Sequence, residues 1–262
     1  MVDIFDTNNL YPDYDSPLKQ HFNNVFDTVF ISFSPFFKIM GNNKEQIEVS
    51  STKIISLEEL QEEDHIFQNL KPNNKRVIYT NDNPNYASDN EIIEKGFPVR
   101  WQYILENTDL NTSSEISQAL RTSIGALKKE YETLQLKEIL EHFTIENKIY
   151  HPIEGRITLL SLIEIYKCLT YLQKTEITMS DEFFQDVETI EISTLSISEF
   201  VLRVRGYMYL YPTDRSLLFT IEWDSFFFLM CGDRKSLDHI TFKFDFEGFY
   251  TDENTMHSWD LL

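Results

Sequence analysis

Glycine and cysteine are scarce in this chain, with seven and two among 262 residues. So few glycines leave little material for a phosphate cradle built from bare backbone. No phosphate-loop, dinucleotide or Gly-x-Ser-x-Gly fingerprint occurs, nor does a His-Glu-x-x-His helix. The two cysteines, Cys168 and Cys231, are far apart and sit in apolar runs, which predicts free buried thiols rather than a disulfide. Basic residues are few as well: 23 Lys and Arg face 43 Asp and Glu, a formal net charge of −20. A surface this negative repels phosphate backbones and anionic lipid heads and attracts basic partners. No apolar run approaches the ~18 residues of a membrane span. The opening Met1-Val-Asp-Ile-Phe-Asp has no basic region of the signal-peptide kind, so the cytoplasm is the expected location.

Aromatic residues, in contrast, are plentiful: 21 Phe, 13 Tyr and 3 Trp supply bulky material for a large core. Charge is spread unevenly around them. Residues 1–112 hold 18 acids and 9 bases, residues 113–178 hold 9 and 8, and residues 179–262 hold 16 and 6. We therefore expect a mixed N-terminal part over 1–112. Residues 113–262 are expected to form a helical section followed by a C-terminal sheet, continuous with the first part or appended to it.

Local patterns fill in that outline. Val25–Phe33 is rich in β-branched and aromatic residues and reads as a strand, as does Arg76–Thr80. Ser56 with Glu59 and Thr112 with Glu115 have the spacing of capping boxes. A short helix near Ser88–Lys95 is stopped by Gly96 and Pro98. Ile116, Leu120, Ile124, Leu127, Tyr131 and Leu134 recur at intervals of three and four, which predicts one helix running through Gly125. The same stretch has a faint helix-turn-helix character, with Arg121, Lys128 and Lys129 as phosphate contacts, but the unbroken period and the acidic flanks argue against that reading. Leu159–Leu172 is apolar nearly all round and predicts a buried helix. Gly206–Tyr211, Ser216–Trp223 and Phe226–Cys231 read as three consecutive antiparallel strands. A short helix over Asp233–Ile240 and a final strand or loop over Phe242–Tyr250 follow.

Three sets of residues have some chemical content. His151 and Glu154, three apart around Pro152, could converge on a metal ion, although two ligands do not make a site. Glu222 and Asp224, flanking Trp223, are two apart at a strand end, a spacing that points both carboxylates to one face. The tail places Glu247, Asp252, Glu253 and Trp259 together as a binding lip or as a strand docked on the core. The remaining histidines show no paired spacing, and no cofactor is implied.

Ala119–Glu130, His151–Arg156, and Leu210-Tyr-Pro with Glu222-Trp-Asp224 and Phe246-Glu-Gly-Phe together resemble an uncharacterised family of Bacillus-type bacterial proteins, a domain of unknown function. The resemblance runs from about residue 70 to the C-terminus. It implies a bacterial cytoplasmic protein and transfers no catalytic residue. The acidic C-terminal region is also similar in style to toxin-immunity proteins. The expected fold is α+β, a helical middle section packed with an antiparallel sheet formed largely by the C-terminal third. The expected function is non-enzymatic binding of a basic protein through Glu222, Trp223, Asp224, Glu247, Asp252, Glu253 and Trp259. The alternative is a hydrolase or metal-dependent enzyme using His151 and Glu154 or Glu222 and Asp224.

Overall fold

A computed structural model describes residues 4–7, 10–12, 14, 16–45, 47–63, 77–80 and 83–260. The first third runs α1 (Ile4–Thr7), α2 (Leu18–Phe22), β1 (Thr28–Phe33), β2 (Phe36–Ile39), β3 (Lys53–Ser56), α3 (Leu57–Glu63), β4 (Val77–Thr80), α4 (Asp89–Lys95), β5 (Gly96–Val99) and α5 (Trp101–Asn107). The middle holds α6 (Ser113–Ser123), α7 (Leu134–Glu146) and α8 (Leu159–Tyr171). The last third holds β6 (Glu176–Ser180), β7 (Val187–Glu191), α9 (Ile197–Val204), β8 (Tyr209–Pro212), β9 (Leu217–Thr220), β10 (Phe227–Gly232), α10 (Arg234–Lys243) and β11 (Gly248–Tyr250). The fold is α+β.

A seven-stranded sheet, ordered β11-β1-β10-β9-β8-β6-β7 with every pair antiparallel, forms the centre. Six of its strands come from the C-terminal third, as expected. The exception is β1, which inserts between β10 and β11. The continuous apolar runs of the central strands follow from burial on both faces. Val29, Ile31 and Phe33 of β1, with Phe227, Leu229 and Cys231 of β10, face one core that also takes in Trp101, Ile116, Leu120 and Leu140 from α5, α6 and α7. The alternate residues Phe30, Phe228 and Met230 face a second core containing Ile165 and Leu169 of α8, Phe200 of α9 and Leu237 of α10. The helical middle section is thereby split, with α6 and α7 on one face and α8 on the other. Both cysteines are free and buried in these cores, and burial pushes the Cys168 thiol up to about 12.

The single helix expected through Gly125 is broken. Helix α6 stops at Ser123, and Gly125 takes φ +69°. The Gly125 N–H donates to the Thr122 carbonyl at 3.2 Å and the Ala126 N–H to the Arg121 carbonyl at 3.0 Å, the two bonds of a Schellman stop. A Cβ at Gly125 would also lie 2.4 Å from the Tyr79 ring. Past Ser123 the apolar spacing follows no helix: Ile124 and Leu127 are buried within the connection to α7, whereas Tyr131 and Leu134, which continue the period, are exposed. Other local signals are realised. Ser56 and Glu59 bond reciprocally at the start of α3. Thr112 accepts from the Glu115 N–H, although the Glu115 carboxylate accepts from Asn111 rather than closing a box with Thr112. Helix α10 runs three residues further than its apolar signal, and β11 occupies only the end of the expected final segment. Among the described residues no helix is long and apolar enough to cross a membrane.

Candidate functional site

His151 and Glu154 lie in the loop between α7 and α8, yet they face different neighbours. The His151 Nε2 hydrogen-bonds with the Thr144 hydroxyl at 2.9 Å, its ring meets Phe36 edge-on at 5.5 Å, and burial pulls its pKa down to about 3. This is a neutral core histidine. Glu154 accepts from the Thr52 hydroxyl at 3.3 Å while its second oxygen is buried without a partner. Burial, with the charge of Asp224 adding to it, raises the Glu154 carboxyl above the ordinary range. Among the described residues no group of three or more His, Cys, Asp or Glu side chains is arranged to hold a metal ion.

The same loop buttresses the Glu222–Asp224 segment. Gly155, at φ +60°, donates its N–H to the Ser225 carbonyl at 2.9 Å, and a Cβ there would lie 3.4 Å from the Trp223 Cα. Strand register determines what else gathers here. Ser180 pairs with both Val187 and Tyr209, and Thr220 with Tyr209 and Leu229. The loops 181–186, 205–208 and 221–226 therefore leave one end of the sheet together. Burial raises the Glu222 carboxyl, and the charges of Glu182 and Asp224 raise it further, against a single backbone donor at Trp223. Tyr209 is pushed up to about 12, first by burial and then by Glu222, Glu182 and Asp181. Among the described residues no Lys or Arg lies within ion-pair distance of Glu182, Glu222 or Asp224. Two aromatic rings stand out of this acidic ground: Trp223 is 57 % exposed and Phe183 68 %. Tyr14, also exposed, joins the edge of the cluster, where burial and then Glu222 raise its hydroxyl.

The tail residues do different work. Glu247 accepts from the backbone N–H groups of Trp101 and Gln102, both at 2.7 Å, and so caps α5. Asp252 accepts from the Thr255 hydroxyl at 2.7 Å and the Asn254 N–H at 2.9 Å, closing a turn. Glu253 pairs with Lys19 of α2 at 2.5 Å. Trp259 stacks on Phe33 at 5.8 Å and meets Phe249 edge-on at 5.1 Å. Deeper in, buried Asp260 accepts from the Ser117 hydroxyl at 2.5 Å and from Arg121 at 3.2 Å. The Arg121 side chain is thereby committed to the tail. His257, buried against Tyr11 through a 2.8 Å hydrogen bond, is pulled down to about 4, mainly by burial. Of the seven candidate binding residues, only Glu222, Trp223 and Asp224 share the exposed cluster. Asp181, Glu182 and Phe183 join them unanticipated, although Asp-Glu-Phe-Phe repeats the acid–aromatic signature of Glu-Trp-Asp in plain view.

Comparison with known proteins agrees with the resemblance read from the motifs. The family model described as "Protein of unknown function (DUF2711)" matches residues 14–261. Uncharacterized protein YwbB of Bacillus subtilis (strain 168) is 25 % identical over 174 residues, covering 66 % of this chain and 77 % of that protein. No solved structure matches. The chain belongs to the DUF2711 family.

Proposed function

For this member of the DUF2711 family we propose a non-enzymatic role in which the acidic end of the sheet receives a basic segment of a partner protein, in the style of immunity proteins. One observation carries the reading. Glu182, Glu222 and Asp224 crowd one another without a basic counter-ion, beside the exposed rings of Trp223 and Phe183. The charges of Glu182 and Asp224 add to burial in pushing the Glu222 carboxyl up, and an incoming cation relieves that repulsion. An exposed indole offers the same cation a π face. Complementary charge speeds encounter and rejects wrong partners, and the same field opposes nucleic acid and anionic membrane. A partly buried, geometrically defined cluster distinguishes this surface from general acidity that serves solubility alone.

The test is fluorescence anisotropy with a labelled Lys/Arg-rich peptide. Binding is expected to weaken more than about tenfold between about 50 and 500 mM NaCl as the charges are screened. The triple variant Glu182→Gln, Glu222→Gln, Asp224→Asn is expected to lose about tenfold or more, whereas Asp252→Asn with Glu253→Gln loses less than about twofold. Binding indifferent to salt, or lost equally in both variants, overturns the proposal.

A further inference from the structure

The opposite kind of surface lies on α10. Leu237 and Ile240 turn one side of this helix into the core, which leaves Lys235, Asp238, His239 and Phe242 on its outer side. These residues, with Tyr171 and Leu172 from the end of α8, line an open groove. Phe242 is 91 % exposed, the most exposed large apolar side chain among the described residues. Tyr171, 47 % exposed, lines the same groove, so the two rings form one apolar patch rather than a scattered single side chain. Tyr171 is held as a fixed wall: the His239 Nε2 hydrogen-bonds with its hydroxyl at 2.8 Å, and the two rings stack at 5.4 Å. The Lys243 ammonium sits 4.5 Å from the centroid of the same ring.

Charge selects the occupant. Helix α10 carries Arg234, Lys235 and Lys243 against Asp238, in a chain of net charge −20, and the acids at its two ends are engaged, Asp233 by the Ser236 N–H and Asp245 by Arg100. Asp238 is already paired with Arg234 at 2.9 Å. Among the described residues no carboxylate lies within ion-pair distance of Lys235 or Lys243. Lys235 therefore lines the aromatic groove without a carboxylate partner, and Lys243, held over the Tyr171 ring, borders it. A basic segment is repelled there, and a long polyanion such as a nucleic acid is repelled by the rest of the molecule. What fits both features is short and acidic, with an apolar side chain to fill the space between Tyr171 and Phe242. We propose that the α8–α10 groove docks an acidic segment of a partner protein, anchored by an aromatic or aliphatic residue between Tyr171 and Phe242 and by carboxylates on Lys235 and Lys243. This surface is independent of the basic-partner site, so one molecule is able to bridge two partners of opposite charge.

The experiment is selection of a random dodecapeptide library on the full chain, with counter-selection on the Lys235→Glu/Lys243→Glu protein. The leading peptide is then measured by anisotropy. The expected winners combine Asp or Glu with Leu, Phe or Trp. Their affinity is expected to fall at least about tenfold in the double lysine variant and in Phe242→Ser. All three positions are exposed, so unchanged thermal midpoints separate lost binding from lost fold. Glu222→Gln is expected to leave this binding intact, so the proposal fails or stands apart from the basic-partner reading. Enrichment of basic or neutral peptides, no enrichment over the counter-selected protein, or affinity indifferent to these substitutions overturns it. Capture by anionic phosphatidylglycerol vesicles in place of peptide, or a dimer that Phe242→Ser dissolves, likewise overturns it by giving the groove another occupant.

Discussion

The loop Glu222–Asp224 and the tail Glu247–Trp259 share a composition, carboxylates beside a tryptophan, and the fold places it in opposite environments. In the tail every acid of that set has an identified partner: Glu247 takes two backbone N–H groups, Asp252 closes a turn, and Glu253 pairs with Lys19. Trp259 is locked among Phe33, Phe227 and Phe249. In the loop Glu222 has one backbone donor and two like-charged neighbours, and Trp223 stands in solvent. The contrast shows that acid–aromatic composition does not by itself mark a binding surface. Under the binding role proposed above, the mark is polar capacity left unspent after the chain has folded. A carboxylate already satisfied inside the protein has little to offer a partner, whereas one crowded by like charge gains from any cation that reaches it.

The two tryptophans give the sharpest way to break the comparison. Trp259→Ala is expected to cost about 3 kcal/mol of stability, because its contacts on three aromatic rings leave a void that the core cannot close. Trp223→Ala is expected to stay within about 0.5 kcal/mol while weakening the basic peptide. Equal costs in urea unfolding would erase the distinction.

The next test uses pH. Burial holds His257 of the tail down at about 4, against an ordinary 6.5. Above pH 6.5 both native and unfolded imidazoles are neutral. Between 6.5 and about 4 only the unfolded one takes a proton, so stability falls with pH through that window, by about 2 kcal/mol at pH 5 from this group. The loop works the other way. The Glu222 carboxyl is raised, so near and just above pH 4.5 the native state holds more protons than the unfolded chain and gains stability as pH falls. Urea unfolding at pH 7.5 and 5 should therefore show a loss that His257→Asn reduces and Glu222→Gln deepens slightly. A flat profile would contradict the burial of His257.

The smallest effect concerns caps. Glu247→Ala removes the acceptor of two N–H groups at the start of α5 and is expected to cost about 1 kcal/mol. Asp224→Asn, which keeps a side chain that tolerates the φ of +55° at this exposed position, is expected to be close to neutral. Thermal unfolding distinguishes them.

Much of the fold is legible residue by residue. The caps at Ser56 and Thr112, the all-apolar α8 and the run of β8, β9 and β10 follow from propensity and period, which act over a few neighbours. The hairpin β6–β7 is quieter because Val187-Glu-Thr-Ile-Glu lies at the sheet edge and buries little, which leaves no strong apolar signal. Gly125 ends a helix through an αL backbone conformation that the surrounding apolar spacing conceals. The position of β1 between β10 and β11 is set by packing across about two hundred residues, and no local pattern encodes it.

The sequence by itself determined the α+β class, the family, the acidic character and the Glu222-Trp-Asp224 candidate, since each depends on composition or on short-range spacing. Only the tertiary structure decided which acids remain unspent, that Glu182 and Phe183 join that loop, and that an aromatic groove with Lys235 on its wall stands elsewhere on an acidic chain. Those outcomes depend on which distant side chains fold into reach of one another. A carboxylate's environment is a property of its neighbours in space, and sequence separation does not report them.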